Sequence, residues 1–130
     1  MVRIEHVAVW TLDIERLAAF YTKYLGASAG PRYANGAKGF ESCFLTFAGG
    51  ARLELMRTTT LHPLPQEAGA QRMGLTHLAL SLGAESRVDE VTGQLRADGC
   101  TVIEGPRRTG DGYYESVVLD PDGNRLELTA

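Results

Sequence analysis

Two histidines and two glutamates stand out because each His–Glu pair occurs twice at nearly the same spacing. The string Gly50-Ala51-Arg52-Leu53-Glu54-Leu55 returns as Gly123-Asn124-Arg125-Leu126-Glu127-Leu128. Each copy follows a His-containing strand, with His6 in the first and His77 in the second. The His-to-Glu separation is 48 residues in one pair and 50 in the other. Two imidazoles and two carboxylates suit a divalent ion such as Zn²⁺, Ni²⁺, Co²⁺, Fe²⁺ or Mn²⁺. A lone strand histidine is ordinarily structural, and a glutamate beside an arginine ordinarily faces water. The repetition is what raises His6, Glu54, His77 and Glu127 to a candidate metal site.

Strand alternation indicates how such residues are carried. His6 is flanked by Val7, Glu54 by Leu53 and Leu55, His77 by Leu78, and Glu127 by Leu126 and Leu128. Side chains alternate between the two faces of a strand, so the aliphatic rows would pack under helices and the four polar side chains would share the other face.

The rest of the chain reads as two copies of one βαβββ module. In the first, residues 3–10 form a strand, and Thr11 or Asp13 can cap a helix. Leu17, Phe20, Tyr21, Tyr24 and Leu25 recur at helical spacing up to Gly26. Strands follow at 32–34, 40–47 and 51–56. Residues 58–74, with three threonines, Pro63 and Pro65, read as a linker carrying a short helix near 67–70. In the second module, a strand at 75–82 precedes a helix at 85–98 stopped by Gly99. Strands at 101–104, 113–119 and 124–129 are separated by a loop at 106–112 and a turn at Asp120-Pro121-Asp122-Gly123. The fold expected is α+β: two tandem βαβββ modules, about 1–57 and 75–130, in one domain with a curved, mixed, eight-stranded sheet around a metal cleft.

Bulk composition narrows the partners. The chain has 130 residues, 44% hydrophobic and 22% charged, with a net charge of −3. That balance offers no basic footprint for nucleic acid. No apolar run approaches the roughly 20 residues of a membrane span. The apolar run Val7–Trp10 is too short for a signal peptide. Cys43 and Cys100 lack metal or redox spacing and read as free thiols, Cys43 as core. A soluble cytoplasmic protein is expected. His62 reads as an exposed loop residue.

With these motifs assembled, the chain resembles the vicinal oxygen chelate superfamily, which includes glyoxalase I, methylmalonyl-CoA epimerase, fosfomycin-resistance thiol transferases, extradiol dioxygenases and bleomycin-binding proteins. The likeness rests on the duplicated module, on Phe20-Tyr21 and Leu25-Gly26, and on Asp120–Leu128. It implies that His6, Glu54, His77 and Glu127 are the metal ligands of a glyoxalase I-like member. It further implies a lyase or isomerase that acts on a hemithioacetal or 2-hydroxycarbonyl compound through a metal-stabilised enediolate, with Glu127 or Glu54 as the base. A homodimer and a thiol-adduct substrate are also implied. The alternatives are a binding or resistance protein without turnover, and a thiol transferase or dioxygenase.

Relatives that bind glutathione carry Arg four residues after the first ligand and Asn four after the second. Here those positions hold Trp10 and Thr58. Arg107 and Arg108 are candidate replacements. An epimerase would need a base near position 38, which is Lys38, with Glu41 nearby. Trp10, on the face of His6, and Tyr113 and Tyr114, in a glycine-containing loop, are the expected substrate contacts alongside Arg107.

Overall fold

The structure, a computed structural model, describes residues 1–63 and 70–130. The short helix expected at 67–70 falls outside the described residues except for Ala70, which is in no helix. The chain divides into two compact units, Met1–Pro65 and Gln66–Ala130.

In the first unit the order is β1 (His6–Trp10), α1 (Ile14–Leu25), β2 (Ser28–Ala29), β3 (Tyr33–Asn35), β4 (Phe40–Thr46) and β5 (Arg52–Thr58). The strands run β1-β5-β4-β2 across the sheet, and β3 also pairs with β4. One strand expected at 32–34 is thus two short ones, because Gly30-Pro31 interrupts the run. Of the two candidate caps, Asp13 takes the role: its Oδ1 accepts from the Arg16 amide at 3.0 Å, while buried Thr11 Oγ1 accepts from the Asp13 amide at 3.1 Å. Gly26 ends the helix in the left-handed region at φ 66°, where a side chain would be strained. The apolar face of α1, with Leu17, Phe20 and Tyr21, packs on Leu45, Leu53 and Leu55 of the sheet. Burying each of these aliphatic side chains stabilises the unit by about 1.5–3 kcal/mol.

The second unit contains β6 (Leu78–Ser81), α2 (Glu85–Ala97), β7 (Val102–Arg108), β8 (Tyr114–Leu119) and β9 (Arg125–Thr129), in sheet order β6-β9-β8-β7. Val88, Val91 and Leu95 of α2 cover Val118, Leu126 and Leu128. Inside this layer Ser116 and Thr92 share a 2.7 Å hydrogen bond, and Thr92 also donates to the Val88 carbonyl at 2.6 Å, so neither hydroxyl is wasted in the core.

Several boundaries differ from expectation: the strand expected at 3–10 begins at His6, and the one expected at 75–82 is Leu78–Ser81, so that His77 lies just before it. Helix α2 stops at Ala97, one residue early. Strand β7 does not end at Glu104 but continues through Gly105-Pro106 to Arg108, with one register shift between Val102 and Glu104 and a second, between Glu104 and Arg107, at the Gly–Pro pair. Proline is tolerated there because β7 is the sheet edge and needs no donor on its outer side. Gly105 is required by close approach: at φ 87°, a Cβ would sit 2.7 Å from the Glu115 carbonyl oxygen. The loop that remains, 109–113, is tied by the Thr109 amide donating to the Tyr113 carbonyl at 2.7 Å.

The Asp120–Gly123 turn is built by one buried carboxylate. Asp120 Oδ1 accepts from the amides of Asp122 and Asn124 at 2.9 Å each, and Oδ2 accepts from the Asn124 side-chain amide at 2.9 Å. This tightens the turn that aims β9.

Candidate metal centre

In both units the first and last strands are parallel neighbours, and this places the histidine and glutamate. Ala8 lies opposite Glu54 and Ala79 opposite Glu127, with His6 and His77 two residues before the alanine in each case. Residues two apart share a face, so each glutamate stands diagonally from its histidine over a methyl-sized neighbour. Leu53, Leu55, Leu126 and Leu128 are fully or almost fully buried on the helix side, and the glutamates are partly exposed on the other.

The pair in the second unit is formed. His77 Nε2 lies 3.1 Å from Glu127 Oε2, with both side chains less than a third exposed. That is a hydrogen-bond distance. It is also about the separation of two adjacent ligands that each stand ~2.1 Å from one ion. The donor types and spacing therefore fit a divalent metal.

The pair in the first unit is set differently. His6 Nδ1 contacts Glu5 Oε2, and Glu5 in turn accepts from Arg52 Nε at 2.8 Å. Arg52 also lies over the Phe44 ring, 4.0 Å from its centre, and His6 meets the same ring edge-on at 5.4 Å. A carboxylate on Nδ1 fixes the tautomer that leaves Nε2 as a lone-pair donor, the usual outer support of a metal-binding histidine. The hydrogen bond to His6 is the main cause that holds the Glu5 carboxyl below its ordinary value. Glu54 has no hydrogen-bond or ion-pair partner among the described residues. Among those residues, no three His, Cys, Asp or Glu side chains are gathered to hold an ion. Of the expected ligands, His77 and Glu127 are in contact.

Of the expected substrate contacts, Trp10 pairs with Met56, on the face of Glu54, and is half exposed. Arg107 pairs with Glu115, which pairs with Thr129, so Arg107 shares the face of Glu127; it also donates to Glu104 at 3.1 Å. Tyr113 is exposed in the 109–113 loop. Tyr114 turns the other way: its hydroxyl donates to Asp89 Oδ1 on α2 at 2.5 Å, on the helix side of the sheet. Adjacent strand residues point to opposite faces, and Tyr114 follows Ser116 and Val118 toward the helix. Arg108 goes with it, contacting Glu85 at the start of α2.

Four residues near the pairs are given no role by sequence reading. Glu5 gave no signal, since a neighbour of a strand histidine ordinarily points away. Ala8 and Ala79 were legible as equivalent positions. Glu115 was also legible, because β8 alternation puts it on the face of Val117, directly opposite Glu127. Burial raises the Glu115 carboxyl above its ordinary value, the Glu127 charge adds to the shift, and Arg107 opposes it.

Two clefts lie in the first unit. The larger, about 510 Å³, runs beside α1 past Ile14, Ala18 and Cys43, and is lined by neither His6 nor Glu54. The other, about 430 Å³, is lined by Tyr33, Asn35, Lys38, Phe40 and Thr58.

Residues 3–128 match the model of the Glyoxalase/Bleomycin resistance protein/Dioxygenase superfamily. The chain belongs to that superfamily. The match spans both units and agrees with the βαβββ pair. The uncharacterized protein YqjT of Bacillus subtilis is 28% identical over 134 aligned positions, covering 98% of each chain. The trypanothione-dependent glyoxalase I of Leishmania major superposes with a TM-score of 0.78 at 20% identity, covering 99% of this chain and 86% of that one. A glyoxylase/bleomycin resistance protein/dioxygenase domain from Frankia sp. EAN1pec gives 0.82 at 18% identity, covering 99% and 97%. The structural likenesses establish the α+β fold. The superfamily contains glyoxalase I enzymes and non-enzymatic resistance proteins, and its members commonly bind divalent metals.

Proposed function

We propose that this member of the superfamily is a metal-dependent lyase or isomerase similar to glyoxalase I, working in the cytoplasm as a homodimer. Its substrate would be a small hemithioacetal or 2-hydroxycarbonyl compound. His6 and Glu54 of one unit and His77 and Glu127 of the other would hold the ion, with both units forming one domain. The observation that carries the reading is the duplicated placement of His and Glu, with His6 opening β1, His77 immediately before β6, and each glutamate on the parallel last strand, and with His77 Nε2 3.1 Å from Glu127.

When bound, the ion would supply Lewis acidity to two neighbouring substrate oxygens. The chain supplies the proton transfer. Glu127, partly buried and touching His77, is the proposed base that takes a proton from one carbon and returns it to the next; Glu54, with no hydrogen-bond or ion-pair partner among the described residues, is the symmetric candidate. Arg107, on the face of Glu127, offers positive charge to an anionic group of the substrate. Trp10 and exposed Tyr113 would add apolar contact.

The test is turnover of methylglyoxal with several thiols by wild type and Glu127→Gln. Wild type should turn over with at least one thiol and the variant should lose about 10²–10⁴-fold. No turnover with any thiol removes the lyase reading. A second reading, small-molecule binding or resistance without turnover, is favoured by the absence of any gathered group of three ligands among the described residues. It predicts substoichiometric metal and no activation by Ni²⁺, Co²⁺ or Zn²⁺.

A further inference from the structure

The 430 Å³ cleft lies on the same face of the first sheet as Glu54. Phe44 pairs with Glu54, Ser42 with Met56, and Phe40 with Thr58, so these alternate residues form one surface. Thr58 is four positions along β5 from Glu54, a distance of roughly 13 Å. Between them, Trp10 sits beside Met56, so the intervening surface is apolar.

The lining of the cleft is chemically mixed. The Tyr33 and Phe40 rings stand 6.1 Å apart with a tilt of 58°, and Tyr33 is 55% exposed. The Lys38 backbone is fixed by Asn35, whose carbonyl and Oδ1 both accept from the Lys38 amide at 3.2 Å. The Lys38 ammonium has no ion-pair partner among the described residues. An open aromatic pair beside an uncompensated ammonium suits a ligand that combines a ring with an anion.

We propose that this cleft binds the non-reacting end of the substrate, and that this end is an aryl carboxylate. The ring lies against Tyr33 and Phe40, and the carboxylate meets Lys38. Trp10 and Met56 cover the connecting chain, which spans roughly 10–13 Å from Glu54. The proposal rests on the preceding reading only in treating the Glu54 end as the reacting end.

The experiment is calorimetric titration of metal-free protein with 4-butylbenzoate and with its neutral primary amide, alongside Lys38→Met and Tyr33→Ala. Both substituted residues are exposed, so the variants keep the fold. Wild type should bind the acid about tenfold more tightly than the amide, the equivalent of one charge contact worth ~1.4 kcal/mol. Lys38→Met should abolish that preference, and Tyr33→Ala should weaken both ligands. No binding of the acid at millimolar concentration overturns the proposal. So does equal affinity for acid and amide, or an unchanged preference in Lys38→Met. Metal content of the same preparations is measured separately. If the acid binds and metal does not, the metal-dependent reading fails while the cleft assignment stands; the converse result separates them the other way.

Discussion

Arg52 holds Glu5 through its Nε at 2.8 Å, and Glu5 in turn contacts His6 Nδ1. The arginine of the first repeated string therefore orders the outer support of the first candidate ligand, while the arginine at the same place in the second string, Arg125, faces a unit where Thr76 stands in the position of Glu5. Glu5→Gln should therefore lower divalent-metal affinity by about 10–100-fold, the range for losing an outer partner of a ligating histidine. Thr76→Ala should leave it unchanged. Competition against a chromophoric chelator measures both, and equal affinity of Glu5→Gln and wild type would remove the support role.

Tyr114 and Tyr113 separate two readings of the loop. With its hydroxyl on Asp89, Tyr114 belongs to the contact between β8 and α2. Tyr114→Phe should leave kcat/KM within about twofold of wild type and lower the melting temperature. Asp89→Asn should resemble it. A large kcat/KM loss in Tyr114→Phe would place the hydroxyl in substrate contact after all.

Glu115 makes stability depend on pH. Its folded pKa is raised, first by burial and then by Glu127, above the ordinary 4.5. The folded state therefore binds the proton more tightly than the unfolded chain. This favours folding below the unfolded value, and the advantage is lost as pH rises through the folded one. In metal-free protein, Glu115→Gln should gain up to about 2 °C in melting temperature relative to wild type at pH 7. The gain should disappear near pH 4. Thermal melts across that window test it, and a constant difference would assign the effect to packing instead.

Asp120 is the strongest stability prediction. Its buried carboxylate accepts three hydrogen bonds that shape the turn into β9. Asp120→Ala should destabilise by about 3 kcal/mol. Urea unfolding gives the value, and because the turn directs the strand that carries Glu127, metal affinity should fall in parallel.

Much of this arrangement was legible before any coordinates. The leucines beside Glu54 and Glu127 imposed the side-chain alternation, and burial in β5 and β9 follows it residue by residue. Gly26 and one of two candidate caps, Thr11 or Asp13, bounded α1 because local capping chemistry decides helix ends. What was hidden depended on parity and partners. Tyr113 and Tyr114 cannot both face a ligand from one strand, yet only the start of β8 determines which turns inward. Pro106 read as a strand end, since nothing local reveals that β7 lies on an edge. Glu5 became visible only once Arg52, 47 residues away, was brought beside it.

The parallel pairing of first and last strands also bears on when metal can be taken up. Each histidine and its glutamate are 48 or 50 positions apart, and they come onto neighbouring positions only once a helix and an antiparallel pair have folded between them. Contacts of such separation form late, because the loop must be closed before they are rewarded. A nascent or misfolded chain therefore exposes scattered single donors but no chelating pair. Under the proposed metal role, the architecture would delay capture of an ion until each unit is complete.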